Sequence, residues 1–106
     1  MNTDKNIFLG KKILIYGLGK SGISTFKFLK KRADVYLFDD NIKVNLKQIH
    51  LKKLLKTKFD KIIISPGINI LNCKLASFLR KNFSKIYTDL DVFYSFYKNK
   101  SIAITG

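Results

Sequence analysis

Apolar residues along this chain recur with two different periods. Three short β-branched runs are continuous rather than alternating: KILIYG at Lys12–Gly17, DVYLFD at Asp34–Asp39 and KIIIS at Lys61–Ser65. Continuous runs of that length suit parallel strands covered on both faces. Between the first two, Ile23, Phe26 and Leu29 return every three to four positions with lysines on the other side, which predicts an amphipathic helix. Leu46–Lys56 repeats the pattern with Leu46, Ile49 and Leu54, and Asn72–Asn82 reads as a third helix. Lys85–Tyr87 reads as a short strand. Thr88 is placed to cap a helix over Asp89–Tyr97, with Asp89 and Asp91 near its positive end.

A last run, SIAIT at Ser101–Thr105, predicts a fifth strand before Gly106. Pro66-Gly67 ends the third strand, since proline removes a ladder donor and glycine permits a tight turn. Strands alternating with helices predict an α/β fold: a Rossmann-like, doubly wound sheet of about five parallel strands with about four helices, in one domain over 1–106. In such sheets the ligand loops follow the carboxyl ends of the strands. The sequence stops just after one, and so reads as the first domain of something longer.

Composition narrows the picture. Of 106 residues, 21 are basic and 7 acidic, a net charge of +14. The excess is nearly all lysine, with Arg32 and Arg80 alone able to grip a phosphate or base edge bidentately, and it is spread along the whole chain. That predicts a solvated lysine coat and no nucleic-acid partner. No apolar run reaches the ~20 residues of a membrane span, and MNTDKNIFLGKK lacks the layout of a secretory signal, so no membrane partner is expected. One cysteine, Cys73, permits no internal disulfide and suits a reducing, cytoplasmic setting. His50 has no metal-ligating neighbours in sequence, and Cys73 has no resolving partner; both read as ordinary packing or surface residues.

The chemistry concentrates in GLGKSG, Gly17–Gly22, between a strand and a helix. Here the first glycine allows a tight turn, and the second lets the backbone approach a diphosphate. The third lets the helix pack close to the strand, with free amides and the helix's positive end facing the anion. Asp39 lies about 20 residues further on, where a dinucleotide fold places its ribose-binding carboxylate. The bare residues therefore leave an NAD-binding domain, of a dehydrogenase or a regulatory nucleotide sensor, open beside other diphosphate ligands. Asp40 adds a second carboxylate and no arginine is near, which disfavours NADP.

Four motifs in order, GLGKSG, SPGI at Ser65–Ile68, TDLDVF at Thr88–Phe93 and the closing SIAITG, resemble the N-terminal domain of the Mur ligase family across essentially the whole chain. The likeness is nearest to the D-glutamate-adding branch. It implies a domain that grips the UDP end of UDP-N-acetylmuramoyl-L-alanine, in a monomeric, three-domain, cytoplasmic enzyme of peptidoglycan biosynthesis. By matching motif, Gly19, Lys20, Ser21 and Gly22 would meet the diphosphate and Asp39, Asp40 and Asn41 the uracil end, while Ser65, Pro66 and Gly67 would line the same crevice. Gly106 would be the first residue of the ATP loop. The resemblance further implies that the full enzyme uses ATP and Mg²⁺ to activate the substrate carboxylate as an acyl phosphate, which the amine of D-glutamate attacks. Catalytic and metal-binding residues are then expected outside this chain, leaving these 106 residues inactive alone.

Overall fold

The computed structural model describes residues 6–41 and 46–97. The strands are β1 (Lys12–Tyr16), β2 (Asp34–Phe38), β3 (Lys61–Ile64) and β4 (Ile86–Tyr87), and the helices are α1 (Lys20–Leu29), α2 (Leu51–Lys56), α3 (Ala76–Lys81) and α4 (Asp89–Tyr97). All strand pairs are parallel, in the order β2-β1-β3-β4. This is the Rossmann-like α/β arrangement expected, with four strands rather than five among the described residues; the predicted strand at Ser101–Thr105 and Gly106 lie outside them.

β1 is central, and Ile13 to Tyr16 are all buried, which is why the run is apolar without alternation. Successive side chains feed opposite faces. Leu14 and Tyr16 join Ile62 and Ile64 under Leu54 of α2 and Leu79 of α3. Ile13 and Ile15 join Ile63 under Leu29 of α1 and Val92 of α4. Each layer closes with rings: Phe59 packs edge-on to Tyr36 and Phe78, and Phe8 edge-on to Tyr87. Phe28 of α1 meets Phe93 and Phe96 of α4 at 5.1 and 5.0 Å, so those two half-buried rings face the core. Tyr97 also reaches Phe28, at 6.1 Å, but stays exposed.

Two helices are shorter than their periodicity predicts. Residues 46–50 are not helical. Ile49 donates its N–H to the Leu37 carbonyl (2.9 Å), and the Gln48 Oε1 accepts the Asp39 N–H (2.9 Å). The side of β2 away from β1 offers these main-chain groups, and pairing with them outcompetes one more helical turn. His50 thus sits exposed at the entry to α2 rather than within a helix. In the same way α3 begins at Ala76, not Asn72. Asn69 Oδ1 accepts the Leu71 N–H (3.0 Å), and the carbonyl of Asn69 accepts the Asn72 N–H (3.0 Å). Such an Asx turn offers the backbone a local alternative to helix. Cys73, expected at a helix start, lies in that turned segment. β4 is also a residue shorter at its start, because Phe83–Lys85 form a 3₁₀ turn.

Candidate functional site

In this sheet β2 and β3 flank β1 on opposite sides, so the chain reverses its winding direction at the carboxyl ends of β1 and β3. Ligands of open α/β sheets bind in the crevice such a reversal creates. The glycine loop and the Ser65–Gly67 turn both emerge there. Gly17 donates its N–H to the Phe38 carbonyl (2.9 Å), and Ser65 donates to Tyr16 (3.1 Å), so three strand ends are tied together beneath the crevice.

The three glycines play distinct steric parts. Gly17 has φ +102°, and a Cβ there would come within 2.6 Å of the Ser65 Cβ and 2.9 Å of the Ile68 Cδ1. At Gly22 a Cβ would lie 1.9 Å from the Gly17 carbonyl oxygen, so α1 can start this close to β1 only without a side chain. Gly19 differs, with no heavy atom within 4 Å of where its Cβ would stand. It is also the N-cap of α1, in extended conformation and with no side chain capping the helix. The first amides of a helix have no intrahelical acceptor. Those of α1 therefore face an open approach, at the positive end of a ten-residue helix with no acidic residue in its first turn. Lys20 is exposed there and Ser21 half-buried, its carbonyl accepting the buried Thr25 hydroxyl (2.8 Å).

The acidic pair does more structural work than sequence spacing revealed. Asp39 accepts the Leu18 N–H through Oδ2 and the Asn41 N–H through Oδ1, at 2.5 and 2.6 Å. It is a strut joining the glycine loop to the turn after β2. Asp40 accepts the Tyr16 hydroxyl (2.8 Å) and, more weakly, the Lys74 N–H (3.3 Å). Burial, reinforced by hydrogen bonds with Cys73 and Asp40, pushes the Tyr16 phenol well above its ordinary range. Tyr16 was legible in sequence only as a strand residue; no local signal marks its hydroxyl as the anchor of Asp40. Asn41, Pro66 and Gly67 are exposed, Ser65 is half-buried, and Ser65 accepts the Ile68 N–H (3.0 Å) to close its turn. Every described residue expected at the site therefore falls in the loops, or in the first turn of α1, at the carboxyl edge of the sheet.

Among the described residues no three His, Cys, Asp or Glu are grouped to hold a metal ion, and no helix is long and apolar enough to cross a membrane.

Curated relatives match along most of this chain. The UDP-N-acetylmuramoylalanine–D-glutamate ligase of Lachnoclostridium phytofermentans is 34% identical over 93% of it. The proteins of the same name from Rickettsia felis and Aquifex aeolicus are 34% and 35% identical over 91% and 90%. This chain is a relative of the Mur ligases. The matched segment of the Mur ligase relatives includes both the glycine loop and the Ser65–Gly67 turn, since so little of the chain lies outside it. The chain spans about a quarter of the length of these ligases: 25%, 23% and 22% respectively. No family model matches the chain, and no solved structure does.

Proposed function

We propose that this chain is the N-terminal, UDP-substrate-binding domain of a UDP-N-acetylmuramoyl-L-alanine–D-glutamate ligase, acting as a monomer in the cytoplasm. The observation that carries the reading is the open face of Gly19 at an uncapped helix start, in a chain related to ligases whose name contains a UDP-sugar. The main chain of Gly19 to Gly22 receives the diphosphate, with Lys20 adding a cation and the Ser21 hydroxyl a donor. Asp39, Asp40 and Asn41 border the uracil end, where carboxylates stand clear of the phosphates. Ser65, Pro66 and Gly67 form the opposite wall. ATP, Mg²⁺ and D-glutamate engage segments beyond this domain, with Gly106 opening the ATP loop, and these 106 residues alone catalyse no ligation.

The rival reading, an NAD-binding domain, asks Asp39 to accept two ribose hydroxyls. Both of its oxygens already accept main-chain donors, which favours a strut over a ribose clamp. Calorimetric titration of the purified chain with UDP and with NAD separates the two. Saturable heat with UDP that disappears in Gly19→Val supports the ligase domain, and tighter binding of NAD overturns it.

A further inference from the structure

The fold gathers at one end what the sequence spreads along the chain. In a parallel sheet each crossover helix returns the chain to the amino edge before the next strand begins. The turns at that edge are basic throughout. KK at 11–12 enters β1, KKR at 30–32 enters β2, Lys56, Lys58 and Lys61 approach β3, and RK at 80–81 with Lys85 approaches β4. Among the described residues only Asp34 and Asp60 oppose them there. At the carboxyl edge the described residues are far less basic, with Asp39, Asp40, Asp89 and Asp91 beside Lys20, Lys47 and Lys74. The nucleotide crevice opens on that second edge.

Lysines in the last turns of α2 and α3 complement the helix dipoles. That leaves Lys11 and Lys58, which are exposed outside the helices, unexplained. It also leaves large apolar side chains standing among the charges. Leu55 is 52% and Phe83 66% exposed, in and beside an open groove of about 540 Å³ lined by Lys56, Lys58, Lys81 and Lys85. Ile7 and Leu9, just before β1, are exposed at the same edge.

We propose that the amino edge of the sheet docks on the surface of an anionic lipid bilayer. Lysines attract a negative headgroup layer as point charges, and neighbouring apolar side chains enter the acyl boundary. The near-absence of arginine, whose fork suits bidentate phosphate recognition, favours a lipid surface over a nucleic acid. It departs from the expectation of no membrane partner, which rested on the lack of a spanning run and of a secretory signal and did not consider surface binding. The crevice faces away from the bilayer, so lipid and nucleotide occupy opposite edges together.

The test is co-sedimentation of the full chain with vesicles of phosphatidylcholine, with and without phosphatidylglycerol. Binding is expected only with the anionic lipid and should weaken with salt. The double variant Lys56→Glu, Lys81→Glu should weaken it about tenfold or more. Lys47→Glu with Lys74→Glu alters net charge equally, at the carboxyl edge, and should weaken it far less. Phe83→Ser removes an apolar contact without touching charge and should lower binding even at raised salt. Circular dichroism establishes that each variant is folded. Equal losses in the two charge-reversed pairs would reduce the effect to net charge and overturn the proposal. So would failure to sediment with anionic vesicles, or tighter binding to duplex DNA than to vesicles at equal salt.

Discussion

Replacing Gly22 by alanine adds one methyl group where the structure has no room for it. The new carbon would start 1.9 Å from the Gly17 carbonyl oxygen, far inside the 3.0 Å that real Cβ atoms keep. The obstacle is main chain, so relief comes only by lifting the start of α1 off the end of β1. Overpacking of this kind costs about 1–3 kcal/mol, and an immovable neighbour puts Gly22→Ala near the top of that range. Alanine returns a little under 1 kcal/mol through its better helix propensity, leaving a net loss of about 2 kcal/mol. For a domain of this size that lowers Tm by roughly 8–16 °C. Gly19→Ala is the matched control. Its φ is −80° and nothing lies within 4 Å, so its stability should stay within about 0.5 kcal/mol of the parent while UDP binding weakens. Thermal melts followed by circular dichroism read both. If Gly22→Ala melts with the parent, or Gly19→Ala falls as far as Gly22→Ala, the assignment of one glycine to packing and the other to the ligand is wrong.

Other consequences concern the supports of the crevice. Asp39→Ala frees the Leu18 and Asn41 amides and should cost about 1–2 kcal/mol in urea denaturation, with faster hydrogen exchange at Leu18; unchanged exchange there would contradict the strut. Tyr16 keeps its proton when folded beyond the ordinary value of 10.0, at which an unfolded tyrosine loses it. Its stabilising contribution is therefore complete below about pH 10 and declines above it by ~1.4 kcal/mol per pH unit. Tyr16→Phe should be less stable than the parent at neutral pH, where it lacks the bond to Asp40, and should gain on it above pH 10; parallel profiles would refute this. At the start of α4, Asp91 Oδ2 accepts the Thr88 N–H (2.8 Å) and Thr88 Oγ1 lies 3.4 Å from the Asp91 N–H. Removing half of this reciprocal cap in Thr88→Ala should cost about 1 kcal/mol, read as a lower urea midpoint.

Strand identity, the glycine loop and the α4 cap were legible in the residues themselves because each rests on local physics. A β-branched run needs cover on both faces, a tight turn needs a missing Cβ, and a cap needs a hydroxyl at the right offset. The likeness carried by GLGKSG and SPGI was local too, and the match to the ligases followed it. Helix starts were not legible. Residues 46–50 and 72–75 carry helical periodicity, yet β2's outer edge and the Asn69 side chain claim their main-chain groups. Nor could spacing show that Asp39 turns back to the loop before it, or that the Tyr16 hydroxyl holds Asp40. Lysines spaced evenly in sequence became a face only when each crossover returned them to the amino edge of the sheet. Periodicity and glycine sterics act over a few neighbouring residues, whereas those partners meet only after the strands have paired.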